Sequence, residues 1–315
     1  MATTFDGTNA VTTTNADAFI PEIWSDEIVA AYKKNLVAAN LIKKMSHRGK
    51  KGDTVHIPSP SRGSASAKVA ANAVTLIANV DTDIPVSINK HYEYSRLIED
   101  IVATQALNSL RSFYTEDAGY ALAKQIDSDI IALGRTVQGG AGARYGGAFI
   151  GSDGTTAYDY TTDNQAALTD AAIRRTIQRL DDVDTPMDGR FFIIPPSSRN
   201  TLMGLSRYTE QAFVGEAGQG NTIRNGEVGS LYGVSVFVSS NADTPNDAQN
   251  GSGTAQPARV CLMGHRDAFV LVEQMGIRSQ TQYQQQFLAN LFTADTLYGV
   301  AELRDDGAVA LVVPA

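Results

Sequence analysis

Cysteine is nearly missing: one residue, Cys261, in a chain of 315. No internal disulfide can form, and the apolar run Val260, Cys261, Leu262, Met263 around it predicts a buried, inert thiol. That usage suits folding in a reducing cytoplasm. No apolar stretch approaches the length of a membrane span, and the N-terminal stretch lacks the basic and apolar regions of a signal peptide. Histidine is scarce too. His47, His56, His91 and His265 lie far apart, with no histidine or cysteine at ligand spacing, so no metal site is expected. No Gly-x-Ser-x-Gly elbow and no Walker loop occurs. Gly140, Gly142 and Gly146 follow a predicted helix instead of a strand and miss the dinucleotide spacing. His265, Arg266 and Asp267 spell the start of a kinase catalytic loop, without the asparagine, Gly-rich loop or Asp-Phe-Gly motif that would give the match meaning. Carboxylate pairs such as Asp127 with Asp129, and Asp181 with Asp182, fall on predicted helix surfaces, where solvated acids are the default. The sequence therefore predicts no catalytic, cofactor-binding or metal-binding residue, and no enzyme.

Charge is also limited in sign. The formal net charge is −8, which opposes attraction of the whole molecule to nucleic acid or to an anionic membrane. One block runs the other way: Lys33, Lys34, Lys43, Lys44, Arg48, Lys50 and Lys51, with no acid among them. Such a block is either a solvated face meeting water or an acidic neighbouring subunit, or a contact for nucleic acid phosphates.

What is present is a long periodic stretch. Over residues 100–134 the apolar positions Leu107, Leu110, Tyr114, Ala118, Leu122, Ile126, Ile130 and Leu133 recur every three or four residues, which predicts one helix. Asp100 or Thr104 would cap its start and Gly134 its end. At 1.5 Å per residue, counted from Thr104, it would reach about 45 Å, longer than a compact domain usually needs. Gly119 in its middle costs about 1 kcal/mol of helix propensity, so a bend or kink is expected there.

Before this strut, residues 1–17 are small and polar, an arm with little to bury. Residues 19–45 read as a short helical segment, with Pro21 near its start and Trp24 on its apolar face. Residues 52–57 and 84–98 read as strands separated by a Ser/Ala-rich excursion that needs a partner surface. After the strut come Gly-rich loops, then a helix near 166–182, a strand at 190–194, a helix started by Pro196, and strands at 234–238 and 259–264. Together these predict a compact α/β unit. Asp306 and Gly307 predict a terminal hairpin lying along the strut.

This order of parts resembles the major capsid proteins of tailed bacteriophages, and local stretches agree: FIPEIWSDEI, GRFFIIPPSSRNTLM, GEVGSLYGVSVFVSSNA and LYGVAELRDDGAVALVV. The resemblance implies an α+β fold with an N-terminal arm (1–50), an extended two-stranded loop (51–98), a peripheral domain containing the spine helix (99–135 and 269–315) and an axial domain (136–268). It also implies a structural subunit that self-assembles as pentamers and hexamers into an icosahedral head shell around phage DNA, within a virion assembled in the host cytoplasm. An encapsulin-like nanocompartment shell is the alternative. The partners implied are other copies, a separate scaffolding protein, a portal protein, decoration proteins and packaged double-stranded DNA held weakly. Some family members crosslink through a loop lysine; Lys68 lies in the loop, but no partner asparagine can be matched.

Overall fold

The computed structural model describes residues 37–59, 63–70, 73–74, 76, 82–99, 109–140, 145–162, 164–205, 229–245 and 257–315. The expected arm, the segment around Trp24, the caps Asp100 and Thr104, Lys33, Lys34 and Gly142 lie outside these residues. In chain order the described elements are helix α1 (Ala38–Leu41), strands β1 (Lys43–Ser46), β2 (Thr54–Ser59), β3 (Thr82–Ser87) and β4 (Lys90–Glu99), and helix α2 (Ser109–Ala132). They continue with β5 (Phe149–Ile150), α3 (Asp170–Asp182), β6 (Arg190–Ile194), α4 (Pro196–Met203), β7 (Ser230–Leu231) and β8 (Val234–Val238). The last are β9 (Ala258–His265), β10 (Phe269–Gln284), β11 (Ala289–Glu302) and β12 (Ala308–Pro314).

Three sheets form: β1-β10-β11-β4, β5-β12-β9-β6-β8-β7, and the pair β2-β3. The six-stranded sheet is mixed, with β6–β8 and β12–β5 parallel and β12–β9 and β6–β9 antiparallel. Its central strands read as near-continuous apolar runs because both faces are covered. Alternation along β12 sends Ala308, Ala310 and Val312 to one core and Val309, Leu311 and Val313 to another; Phe191 and Ile193 part in the same way from Phe192 and Ile194. Helices α3 and α4 cover the second face through Ala172, Ile173, Leu180 and Leu202. Thr169 caps α3 by accepting the Ala172 N–H at 3.3 Å, and Pro196 occupies the first turn of α4, where a missing N–H costs nothing.

Helix α2 joins the two larger sheets. Ala118 and Leu122 pack on Phe292 and Ala294 of the four-stranded sheet, whereas Ile126, Ile130 and Ile131 enter the core shared with the six-stranded sheet. Burying each of these large side chains contributes about 1.5–3 kcal/mol. The expected long helix is present, and it runs past Gly119 without interruption. The kink expected there therefore takes no form of a break. Gly134 does not terminate it: a 3-10 turn continues through Arg135, and Gly134 sits where an added Cβ would stand 3.1 Å from Leu262 Cδ1.

Two expectations need correction. Asp306 and Gly307 do not make a hairpin; they belong to a 3-10 turn that carries the chain from β11 in one sheet to β12 in the other. Strand β12 pairs with β9, because a strand buried along both faces needs a central place that the side of a helix cannot offer. Residues 84–98 are likewise not one strand. Residues up to Ser87 pair with β2, while β4 pairs with β11 from Lys90↔Tyr298 to Glu99↔Ala289.

Candidate assembly interface

Two elements reach out of the body, and both carry apolar side chains that the subunit does not cover. The first is the β2–β3 ribbon, paired from Thr54↔Ser87 to Ser59↔Thr82. Its root is anchored: Val86 and Ile88 are buried with Val270 and Val272, and the Ile88 N–H donates to Asp53 O at 2.7 Å. Gly299 on β11 allows this approach, since a Cβ there would lie 2.4 Å from Ser87 O. Beyond the ribbon, Val69, Val74 and Leu76 are exposed, Leu76 by 87%. The second is the far end of β10–β11, where Tyr283, Phe287 and Leu288 are exposed together with Leu97 of the adjoining β4. Leu288 holds φ at 45°, a left-handed conformation that costs a branched residue of order 1–3 kcal/mol. Apolar groups gathered on extensions mark surfaces for another chain.

Polar clamps set the direction of these extensions. Arg278 grips Asp295 through Nε and Nη2 at 2.8 and 2.9 Å, and His91 reaches the same carboxylate at 3.3 Å. Strands β10, β11 and β4 are thereby tied side to side, and the Arg278 hydrogen bonds hold the Asp295 carboxyl below its usual range. Tyr94 donates to Asp117 on α2 at 2.9 Å and accepts from Arg96 at 2.6 Å. Arg135 makes a fork to Asp243 at 2.7 and 2.9 Å, and the buried Tyr145 hydroxyl donates to the same carboxylate. Burial first, and Asp243 second, push the Tyr145 hydroxyl well above its ordinary value.

No protein-family model matches the sequence, and no curated protein matches it either. Solved structures do match. The capsid structure of cyanophage P-SCSP1u superposes with a TM-score of 0.72 at 18% identity, over 97% of this chain and 96% of that one. A chain of Mycobacterium phage Che8 gives 0.70 at 23% identity, over 93% and 97%. The mature capsid of bacteriophage PhiM1 gives 0.70 at 14%, over 93% and 92%. The fold is that of a tailed-phage major capsid protein. In it the β2–β3 ribbon comes before the long helix α2 in chain order, with β4 of the four-stranded sheet between them.

The residues singled out as candidates for chemistry take structural places within the capsid fold. Cys261 is fully buried, with its thiol pushed up to about 12 by burial and Ser198 Oγ 3.3 Å away. His265 accepts the Asp267 N–H at Nδ1 and donates from Nε2 to Asp188 O at 2.8 Å, so its turn is a β9–β10 connection held by the ring. Among the described residues no group of three or more His, Cys, Asp or Glu side chains converges. Gly140 lies in a tight turn, where a Cβ would meet Arg135 O at 2.5 Å.

The solvated default fails for two of the four paired acids, Asp127 and Asp129. Asp127 is wholly buried: Oδ1 accepts the N–H groups of Val37 and Ala38 at 3.0 and 2.7 Å, and Oδ2 accepts Asn241 Nδ2 at 3.0 Å. It caps α1 and joins the spine to the chain after β8. Asp129 accepts the Tyr298 hydroxyl at 2.6 Å and faces Lys90 Nζ at 3.1 Å. Asp181 and Asp182 both lie on the exposed surface, where Asp181 pairs at 2.7 Å with Arg190, whose own side chain is almost wholly buried. The basic block is split as well. Lys43 and Lys44 are exposed on edge strand β1, Lys44 reaches Asn40 at 3.3 Å, and Arg48 is engaged by Glu273 at 2.9 Å.

Proposed function

We propose that this chain is the structural subunit of an icosahedral phage head shell, assembling with copies of itself and enclosing double-stranded DNA. The observation that carries the proposal is the extent of the likeness: the matches cover over nine-tenths of this chain and of each of the three solved phage chains. The uncovered apolar residues on both extensions supply the driving force, because burying them on neighbours removes that surface from water. Many weak contacts, multiplied around a closed shell, give the assembly its stability. In this reading the four-stranded sheet and the spine helix form the peripheral domain, the six-stranded sheet forms the axial domain around the shell's symmetry axes, and β12 belongs to the axial part. The role is structural, not catalytic. A separate scaffolding protein, a portal and decoration proteins complete the set of partners, and the virion is the final location.

Deleting residues 60–80 tests this. The shortened subunit is expected to keep its circular dichroism and its melting transition while failing to form particles by negative-stain microscopy and sedimentation. Normal, stable particles from the deletion would sink the proposal, as would a wild-type chain that stays monomeric at every concentration and salt.

A further inference from the structure

The six-stranded module carries a pair of cations that have no counter-ion within ion-pair distance among the described residues. Arg175 and Arg179 stand four residues apart on α3, hence on one face of that helix. Arg179 lies over the Phe149 ring, with Cζ 3.7 Å from the centroid, and its Nε donates to Gly154 O at 3.3 Å. Arg175 Nε is buried and finds no hydrogen-bond partner among the described residues. The 151–154 turn walls both stems: Gly154, at φ 63°, comes so close to α3 that a Cβ would sit 2.9 Å from Ala172 O and 3.4 Å from Arg175 Cβ. The remaining charges nearby are accounted for. Arg174 is taken by Asp170 at 2.9 Å. Asp153 already accepts the N–H groups of Thr155 and Thr156 and the Thr156 hydroxyl, at 2.8, 3.0 and 2.7 Å. Asp153 and Asp182 attract Arg179 only from a distance, and neither forms an ion pair with the two arginines. Burial, and then the neighbouring Arg175 charge, lower the proton affinity of Arg179. Two adjacent guanidinium groups, partly withdrawn from water, are costly unless an anion joins them.

We propose that Arg175 and Arg179 form a socket for a single carboxylate contributed by a second copy of this chain. Two guanidinium groups four residues apart on one helix face offer forked donors suited to the planar, bidentate geometry of a carboxylate. A nucleic acid backbone fits less well, because a run of phosphates would also meet Asp153 and the exposed Asp182 and Asp184 at the same end of the helix. A second copy is the natural donor, since the chain carries 34 acidic side chains against 26 basic ones. The inference rests on the shell reading, which brings copies into contact, and it adds the residues and the charge chemistry of one such contact.

The test compares wild type with Arg175→Glu, Arg175→Lys and Arg179→Lys. The readouts are critical concentration for assembly against salt, melting of the dissociated subunit, and anisotropy of a labelled DNA duplex. Expected is at least a tenfold rise in critical concentration for Arg175→Glu, roughly what the loss of one partly buried ion pair gives. The lysine variants should fall between it and wild type, and the subunit melting should be unchanged. Arg175→Glu shells that form at the wild-type concentration, with wild-type salt dependence, overturn the socket and leave the shell reading standing. A wild-type chain that forms no shell overturns both. Normal shells together with lost duplex binding also overturn the socket and assign the pair to phosphate.

Discussion

Replacing Asp127 by alanine should destabilise the subunit more than any other single change on the helix surface. The side chain is wholly buried and is the acceptor for three donors, two of them backbone N–H groups at the start of α1. A buried donor stripped of its partner costs about 1–3 kcal/mol. Val37 and the Asn241 amide are partly buried and recover some hydration, whereas Ala38 is fully buried and recovers none. The total is therefore about 3–5 kcal/mol, which for a chain of this size corresponds to a fall in Tm of roughly 10 °C. Asp127→Asn separates charge from hydrogen bonding. Its oxygen still accepts the α1 donors, and the Asn241 amide can turn over to meet the new NH2 group, so about 1–2 kcal/mol is expected. Urea titration followed by far-ultraviolet circular dichroism on the dissociated subunit gives both values. Alanine as stable as wild type, or asparagine worse than alanine, would refute the reasoning.

Gly299→Ala should displace the root of the ribbon, because its Cβ would stand 2.4 Å from Ser87 O; faster amide exchange around residues 86–88 and a loss of about 1–3 kcal/mol are expected. Unchanged exchange there would remove the steric argument. Cys261 should resist thiol reagents in the native subunit and react fully in denaturant. Since burial holds its thiol at about 12 in the fold, its contribution is intact below the unfolded value near 9 and declines as pH rises from there towards 12. Native labelling at pH 8 would contradict this. Glu302 is half-buried, with Oε1 lacking a partner among the described residues and Oε2 accepting the Thr136 hydroxyl at 2.7 Å. Burial first, and Asp305 nearby, raise its carboxyl above the usual range. The fold then holds a proton that the unfolded chain has released, so stability falls as pH rises above about 4.5. Glu302→Gln should stabilise the subunit at pH 7 relative to pH 4, and an equal difference at both pH values would count against it.

How much of this was legible in the sequence depended on whether local pattern or distant partners decide the outcome. The strut was legible because Tyr114, Ala118, Leu122, Ile126 and Ile130 keep the helical period, and nothing outside the helix can counterfeit that. Strand β6 and the Pro196 helix start were equally local. The Asp306–Gly307 turn was misread because a turn dipeptide says that the chain bends, not which sheet receives the next strand. The usable clue was the run AVALVV of β12, apolar at every position, which fits a central strand covered on both faces and not an edge. Asp127 and Asp129 were misread for a related reason. Their burial comes from α1, Asn241, Lys90 and Tyr298, all remote in sequence, and only the flanking Ile126, Ile130 and Ile131 hint that the apolar face of the helix is wide enough to enclose an acid. The candidate interface was visible as an excursion in need of a partner, but its second half, at the far end of β10–β11, was not.

Besides α2, one junction links the two larger sheets: β9 turns into β10 and β11 turns into β12 side by side, with Ala268 O receiving the N–H groups of Leu303 and Arg304 at 2.7 and 3.3 Å. From that junction β10 runs for 16 residues, a ribbon about 50 Å long at the usual strand rise. Geometry makes such a ribbon a lever. Each degree of rotation at the junction moves Phe287 and Leu288 by about 1 Å, so a few degrees carry the tip across the width of an apolar side chain. In the proposed shell, copies sharing one sequence would then meet neighbours at slightly different angles, as any curved surface of repeated units demands, through small rotations at this junction.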